Sequence, residues 1–308
     1  MQLKRQRLII ILGPTGVGKS AAGIYLARKF EGEIINCDSM QVYRGFDIGT
    51  DKPTPEMRSL VAHHLLDVAA ASEQFTAADF VRQALAAMRL IEERGRLPFV
   101  VGGTGLYIKA LVEGLFPGPG RNPELRRKLE REAAEKGLRS LHRELEEVDP
   151  RYARLIGERD KVRIIRALEV FRLTRKPISE HFENTRSELA DFHLIKIGLQ
   201  LERKEVYRKI EERVDRMFER GIVSEVGGLL AAGVDEDAPP FRALGYKHVL
   251  AHLKGKISLD EAERLTKQDT RQYAKRQLSW FRKMTEVSWL AAGDHAALAA
   301  FLEAQFAA

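Results

Sequence analysis

The sequence predicts an α/β fold in which a parallel sheet is flanked by helices and interrupted by a helical insertion. Three observations predict it. The apolar run at residues 8–12 leads straight into the octapeptide Gly13-Pro14-Thr15-Gly16-Val17-Gly18-Lys19-Ser20, with a helical pattern behind it. Up to about residue 115, strand-like runs alternate with helix-like ones, as βαβ units require. After the turn-rich Pro117-Gly118-Pro119-Gly120 the pattern turns charged and helical until Arg175, and a strand pattern returns at Phe192.

The first strand ends in G-x-x-x-x-G-K-S, the pattern of a phosphate-binding loop. Glycines let successive backbone N–H groups face an anion, and the following helix N-terminus adds its partial positive charge. Lys19 supplies a mobile full charge, and the Ser20 hydroxyl suits a Mg²⁺ ion bridging phosphates. A second strand, Glu33-Ile34-Ile35-Asn36-Cys37, stops at Asp38-Ser39. Residues 72–93 carry Phe75, Phe80, Leu85, Met88 and Ile91 near helical spacing, with Gly95 as the stop. The third strand, Leu97-Pro98-Phe99-Val100-Val101, ends at Gly102-Gly103-Thr104-Gly105. Asn122-Pro123-Glu124 caps the first helix of the insertion. Residues 192–199 read as a strand that rejoins the sheet. Helices follow at 202–220, from Gly221 to Ala232 and at 258–285, the last opened by the capping box Ser258-x-x-Glu261. These readings give a P-loop NTPase-like core at 1–117 and 191–308, and a helical insertion domain at 118–190. In parallel α/β sheets ligands bind outside the strands' carboxyl ends, so the phosphate loop, Asp38-Ser39-Met40-Gln41 and Gly103-Thr104-Gly105 should converge.

With 308 residues, 44% hydrophobic and 31% charged, the chain has the composition of a globular protein with a proper core. No run approaches the about 20 apolar residues of a membrane span. Met1-Gln2-Leu3-Lys4-Arg5 is basic but no signal peptide, because the apolar run behind it runs into the phosphate loop. A cytoplasmic monomer is the default expectation. The single cysteine, Cys37, excludes an internal disulfide and a cysteine-rich zinc module. Net charge +7 and a pI near 9.4 fit a polyanionic partner.

Asp38, at a strand end beside the phosphate loop, reads either as a turn aspartate or as a carboxylate that takes a proton or holds Mg²⁺. The third strand lacks the acidic residue that phosphate-loop ATPases place there, and offers Gly-Gly-Thr-Gly for close approach to a ligand and a Thr104 hydroxyl to donate to it. Two helices carry basic stripes. Lys267, Arg271, Lys275 and Arg282 share one arc, opposite Tyr273, Trp280 and Phe281, with Leu278 a misfit among the cations. Arg159, Arg163 and Arg166 line another, with Arg172 breaking the pattern. Each stripe alone reads as a solvated face; together with the pI they fit a nucleic-acid groove. The aromatic residues read mostly as core, and His63-His64 as a satisfied structural pair rather than metal ligands.

The blocks GPTGVGKS (13–20), DSMQVYRGFDIGTDKPT (38–54), HHLLDV (63–68), FVVGGTGLYIKAL (99–111), DPRYARLIGERDKVRIIRALEVF (149–171), RALGYK (242–247) and RQYAKRQLSWFRK (271–283), in this order, closely resemble the tRNA dimethylallyltransferases (tRNA isopentenyltransferases). The resemblance implies transfer of a dimethylallyl group from dimethylallyl diphosphate to N6 of adenosine 37, beside the tRNA anticodon. It assigns Thr15, Gly16, Val17, Gly18, Lys19 and Ser20 to the diphosphate, with Mg²⁺ near Ser20. It makes Asp38 the general base and puts Thr104 on the bridging oxygen of the leaving diphosphate. It assigns tRNA contacts to Asp38, Ser39, Met40 and Gln41, to Arg126, and to Val162, Arg163, Ile164, Ile165 and Arg166. Further tRNA contacts fall on Arg242, Ala243, Leu244, Gly245, Tyr246 and Lys247, and on Lys275, Arg276, Gln277, Leu278, Ser279, Trp280, Phe281 and Arg282. The insertion would grip the anticodon stem-loop. Eukaryotic members add a C-terminal zinc finger for which this chain lacks the cysteines, so a bacterial type is expected.

Three other readings stay open on the residues alone. They are a P-loop small-molecule kinase or NTPase binding ATP, an RNA-binding module with a vestigial site, and a prenyltransferase acting on free AMP.

Overall fold

The computed structural model describes residues 6–116 and 118–307. Met1-Gln2-Leu3-Lys4-Arg5, Pro117 of the hinge and Ala308 lie outside the described residues. The chain divides into two compact units: Met1–Ala110 with Asp191–Ala308, and Leu111–Ala190. The insertion thus starts at 111, not 118. Its earlier start has a local cause: Gly114 lies against the Arg186 carbonyl, where a Cβ would fall 2.3 Å from the oxygen, and Ser187 Oγ donates to Leu111 O.

In chain order the first unit begins with β1 (Arg7–Leu12), α1 (Lys19–Lys29), β2 (Gly32–Cys37), α2 (Pro55–Leu60) and β3 (His63–His64). It continues with α3 (Ala77–Glu93) and β4 (Leu97–Gly102), and α4 (Gly105–Glu113) runs across the boundary between the units at Leu111. The second unit holds α5 (Pro123–Lys136), α6 (Leu138–Val148), α7 (Pro150–Ala153), α8 (Lys161–Thr174) and α9 (Ile178–Glu183). The first unit resumes with β5 (His193–Gln200), α10 (Arg203–Glu219), α11 (Ile222–Ala231), α12 (Tyr246–Leu253), α13 (Leu259–Phe281), β6 (Val287–Ala291) and α14 (His295–Ala307).

Among the described residues six strands form one parallel sheet in the order β3-β2-β4-β1-β5-β6. The expected α/β core is therefore present. Helices cover its faces, so the central strands are buried on both sides and read as continuous apolar runs: residues 8–12 are wholly buried. One core joins Ile9, Ile11, Phe99 and Ile197 to Leu26 of α1 and Leu302 of α14. The carboxyl ends of β1, β2 and β4 lie side by side, because β4 pairs with both neighbours in register at Gly102.

Five elements depart from the sequence reading. α3 starts at Ala77 rather than near 72, because Thr76 and Asp79 cap each other reciprocally and Phe75 packs beside Tyr107 outside the helix. At α13 only half of the expected box forms: Ser258 accepts from the Glu261 N–H, while the Glu261 carboxylate pairs with Arg264. The sequence reading passed over the edge strands β3 and β6 and the alanine-rich α14.

The second unit has its own core, in which Leu129, Leu141 and Leu145 meet Ile164, Ile165 and Leu168. Glu169 is fully buried there and accepts from Arg126 Nε (3.0 Å), Arg166 Nη1 (2.7 Å) and the Asn122 N–H (2.8 Å). Burial alone would raise its pKa, but these donors hold the carboxyl below its ordinary value. Arg172, the residue out of pattern on α8, pairs with Glu132 and Glu144.

Candidate active site

A cavity of about 680 Å³ opens at the carboxyl ends of β1, β2 and β4. The loop 13–18 supplies one wall. Gly18 caps α1 with φ 97°, a left-handed conformation that suits glycine, and no side chain occupies the helix N-terminus. The first-turn N–H groups of α1 therefore remain available to an anion. Thr15, Gly16, Gly18, Lys19 and Ser20 all line the cavity. Val17 does not: its side chain is wholly buried and its N–H bends back to Pro14 O at 3.4 Å. Its part in the loop is structural.

Lys19 Nζ donates to Pro14 O at 2.8 Å. Its desolvation pulls the pKa from the ordinary 10.5 down to about 8, against the pull of Asp38 and with the help of Arg213. A poorly hydrated ammonium ion is primed for an anionic ligand.

Asp38 follows β2 and lines the same cavity. Oδ1 accepts from Met40 N (2.8 Å) and Gln41 N (3.3 Å), so the turn-aspartate reading holds. Among the described residues Oδ2 has no hydrogen-bond partner, so the second reading holds as well: one oxygen fixes the turn and the other is left for chemistry. The β4 end braces this turn. Thr104 N donates to Cys37 O at 3.2 Å, and Thr104 Oγ1 accepts from Ser39 N at 3.0 Å. The hydroxyl proton of Thr104 is thereby left free to donate. A methyl group on Gly103 would lie 2.5 Å from Gln277 Nε2 and 3.4 Å from Lys19 Nζ, which explains a glycine there.

The loop after Asp38 is clamped from below. Lys52 is buried, donates from Nζ to Tyr43 O at 2.8 Å and pairs with Asp67 at 2.6 Å and with Asp47. Gln41 Nε2 is spent on Thr50 O and Asp51 O. Glu225 accepts from the Asp47 and Ile48 N–H groups, and the Tyr246 hydroxyl donates to Glu225 while accepting from Gly49 N. Burial beside Glu225 pushes the Tyr246 hydroxyl far above its ordinary pKa, so it remains a donor.

Several expected RNA contacts are corrected by burial. Ile164 and Ile165 belong to the core of the second unit, and Tyr246 and Phe281 to the core of the first. Their side chains pack inside the protein, and the expectation that they face a ligand is not met. Gln277 is also buried, but it performs a different task. It accepts from Thr15 N and donates to Gly103 O, both at 2.8 Å, tying α13 to two rims of the cavity. Arg126 and Arg166 each commit part of their donors to Glu169. Arg163 pairs with Asp160, and Val162 is exposed. Arg242, Ala243 and Leu244 line the cavity, Gly245 caps α12, and Lys247 pairs with Asp269.

On α13, Lys267 pairs with Asp215 and Glu263, and Arg271 with Glu211, so half of the basic stripe holds α10 instead of facing a partner. Lys275, Arg276, Ser279 and Arg282 remain exposed. Trp280 is 39% exposed, and Tyr273 lines the cavity, so two of the three expected core aromatics are on surfaces. His63 Nδ1 lies 2.8 Å from Val61 O, and His64 Nε2 lies 2.7 Å from Glu33 Oε2, the satisfied pair the sequence suggested.

Sequence reasoning missed Arg213. From α10, its Nη1 donates to Thr15 Oγ1 at 2.7 Å and its Nη2 to Thr50 O at 3.3 Å. Its Nε is buried without a hydrogen-bond partner, with Asp51 Oδ2 at 3.4 Å. A buried, unspent N–H on a fixed cation in this cavity suits a phosphate oxygen. The available signal was the spacing of Lys209, Arg213 and Arg216 along one face of α10, and all three line the cavity. Ser20 Oγ makes no hydrogen bond among the described residues, and Asp38 and Asp51 share its cavity. The Ser20 hydroxyl is a hard oxygen donor of the kind Mg²⁺ accepts.

The arrangement pairs an anion cradle with an adjacent free carboxylate oxygen, the parts needed to expel a diphosphate while deprotonating a nucleophile. A family model described as IPP transferase matches residues 41–284. A tRNA dimethylallyltransferase of Geobacter metallireducens is 50% identical over 287 residues, covering 93% of each chain. The structure of a full-length tRNA isopentenylpyrophosphate transferase from Bacillus halodurans superposes with a TM-score of 0.72 at 39% identity, over 97% of this chain and 96% of that one. A eukaryotic dimethylallyltransferase acting on tRNA gives 0.79 at 31% identity, over 94% of this chain and 75% of that one. On its sequence, its sheet and its cavity, the chain belongs to the IPP transferase family.

Proposed function

We propose that the chain transfers a dimethylallyl group from dimethylallyl diphosphate to N6 of adenosine 37 in cytoplasmic tRNA, leaving N6-isopentenyladenosine and diphosphate. One observation carries the reading: Asp38 Oδ2, without a hydrogen-bond partner among the described residues, shares a cavity with Lys19 and the N-terminus of α1. The exocyclic amine of adenine is a poor nucleophile, because its lone pair is delocalised into the ring. Asp38 accepts a hydrogen bond from it and takes the proton as the N6–C1 bond forms. The C1–O bond breaks with its electron pair leaving on the diphosphate. Lys19, Arg213 and the loop N–H groups stabilise the charge developing there, and Thr104 donates to the bridging oxygen. Ser20 would hold Mg²⁺, which when bound neutralises part of the diphosphate charge.

The target base must leave its stack to reach the sheet's rim, a cost of a few kcal/mol. Basic side chains that hold the RNA backbone, among them Lys275, Arg276 and Arg282, offset it. The kinase reading fares worse, because the end of β4 carries Gly103-Thr104-Gly105 where an ATPase positions an acid. Labelled dimethylallyl diphosphate and labelled ATP, each offered with and without tRNA, separate the readings. Uptake of allyl label into tRNA supports transfer; ATP turnover without RNA and no uptake overturns it.

A further inference from the structure

A second cleft, of about 570 Å³, lies on the other side of α13 within the first unit. Pro14 contributes to its wall while its carbonyl receives Lys19 on the cavity side, so the phosphate loop separates the two. Leu278, the apolar misfit in the basic stripe, lines this cleft with Leu199 and Val206. Tyr207 enters from α10 and Trp289 from β6. Trp289 is seated on Gly198, where a Cβ would fall 2.7 Å from its ring. The charged side chains lining the cleft are Arg203, Lys275 and Arg282, all cations. Arg203 donates to the Tyr207 hydroxyl at 3.0 Å and sits 5.0 Å from that ring's centroid. Lys275 and Arg282 have no ion pair among the described residues.

An apolar floor, two aromatic rings and a wholly cationic rim complement a flat base joined to a phosphate. The cleft also continues onto the exposed α13 face through Lys275 and Ser279, which it shares with a shallower depression bearing Arg276, Trp280 and Lys283. A polyanion lying along that face brings its own nucleotides to the mouth of the cleft. We infer that this cleft receives a second, unmodified nucleotide of the tRNA anticodon loop. Its base stacks on Tyr207 or Trp289, and its phosphate meets Arg203, Lys275 and Arg282. The inference rests on the proposed tRNA reading and extends it: the enzyme holds two nucleotides of one loop, on the two sides of α13.

The test uses the full chain, an anticodon stem-loop with adenosine at position 37, and variants of that loop with one abasic nucleotide at each other loop position. Tyr207→Ala and Arg203→Gln, each checked for unchanged melting, should weaken stem-loop binding about tenfold, within the reach of base–aromatic stacking. Both should keep kcat and the KM for dimethylallyl diphosphate within twofold of wild type. One abasic position should cost wild type about the same factor and cost Tyr207→Ala nothing further. Variants that bind like wild type, or abasic losses that are the same in wild type and Tyr207→Ala at every position, overturn the inference. So does AMP that saturates the cleft by Trp289 fluorescence without competing with the stem-loop, since it assigns the cleft to a free nucleotide. Absence of turnover with every RNA would instead count against the transferase reading, because the abasic coupling is scored by binding alone.

Discussion

Replacing Lys19 by arginine should remove an alkaline limit on diphosphate capture. Desolvation in the cavity holds the Lys19 pKa at about 8, from an ordinary 10.5, a gap worth about 3 kcal/mol. Only the ammonium form attracts the diphosphate. With a pKa of about 8 it makes up about nine tenths of Lys19 at pH 7 and about one tenth at pH 9. The value of kcat/KM for dimethylallyl diphosphate, which reports the free enzyme, should therefore fall about ninefold between those pH values. A bound diphosphate raises the pKa, so kcat at saturation should hold to higher pH. In Lys19→Arg the guanidinium stays charged, and kcat/KM should be lower throughout but flat over this range. The same desolvation has a stability consequence. Between about pH 8 and 10.5 the unfolded chain binds the Lys19 proton and the folded chain does not, so wild-type stability rises with pH there. Without ligand, Lys19→Met should melt above wild type at pH 7, and the difference should close near pH 10. A wild-type kcat/KM that is flat to pH 9.5, or a Lys19→Arg profile with the same fall, would refute the reasoning.

Lys52→Met should leave Asp67 with Arg58 as its cation and cost about 3 kcal/mol, the low end for breaking a buried pair because Arg58 stays on Asp67 and Asp47 can turn to water. Hydrogen exchange should rise first across residues 38–53, and kcat should fall more than RNA affinity. Glu169→Gln should lower exchange protection in Leu111–Ala190 by about 3 kcal/mol at pH 7. Because the folded-state pKa of Glu169 is depressed, its contribution exists above the ordinary carboxylate range. The gap between variant and wild type should narrow as pH drops below about 4. Exposed Lys275, Arg276 and Arg282 should make stem-loop binding weaken steeply with salt, and replacing any one by glutamine should reduce the slope of log K against log salt by about one. Equal slopes would remove that residue from the backbone contacts.

The legible part of this molecule is the part where backbone geometry restricts the side chains. The loop 13–20 must turn through left-handed glycines and open onto a helix, so its residues announce its place and its ligand class. The buried strands β1, β2 and β4 read as apolar runs for the same reason. β3 and β6 could not be read, because a two-residue strand and a half-exposed edge strand are defined by their neighbours rather than by pattern. α14 packs along one side with alanines nearly all round, which leaves no periodic signal. The basic stripe on α13 was visible, but not which cations were already taken by Glu211, Asp215 and Glu263, since those partners lie some 50 to 60 residues away or on the same helix. Arg213 was hidden for the opposite reason: alternating acids on α10 dilute its stripe, and only tertiary packing brings it to Thr15.

The most direct test of the account is the single-turnover rate of Asp38→Asn with both substrates saturating, read as N6-isopentenyladenosine by nucleoside mass spectrometry. The asparagine side-chain oxygen can still accept from the Met40 and Gln41 N–H groups, so the turn should survive and RNA should bind as before. The rate should fall by about 10²- to 10⁴-fold, since the variant cannot take the proton. A variant that prenylates tRNA within tenfold of wild type would contradict the central claim, because some group other than Asp38 would then be receiving it.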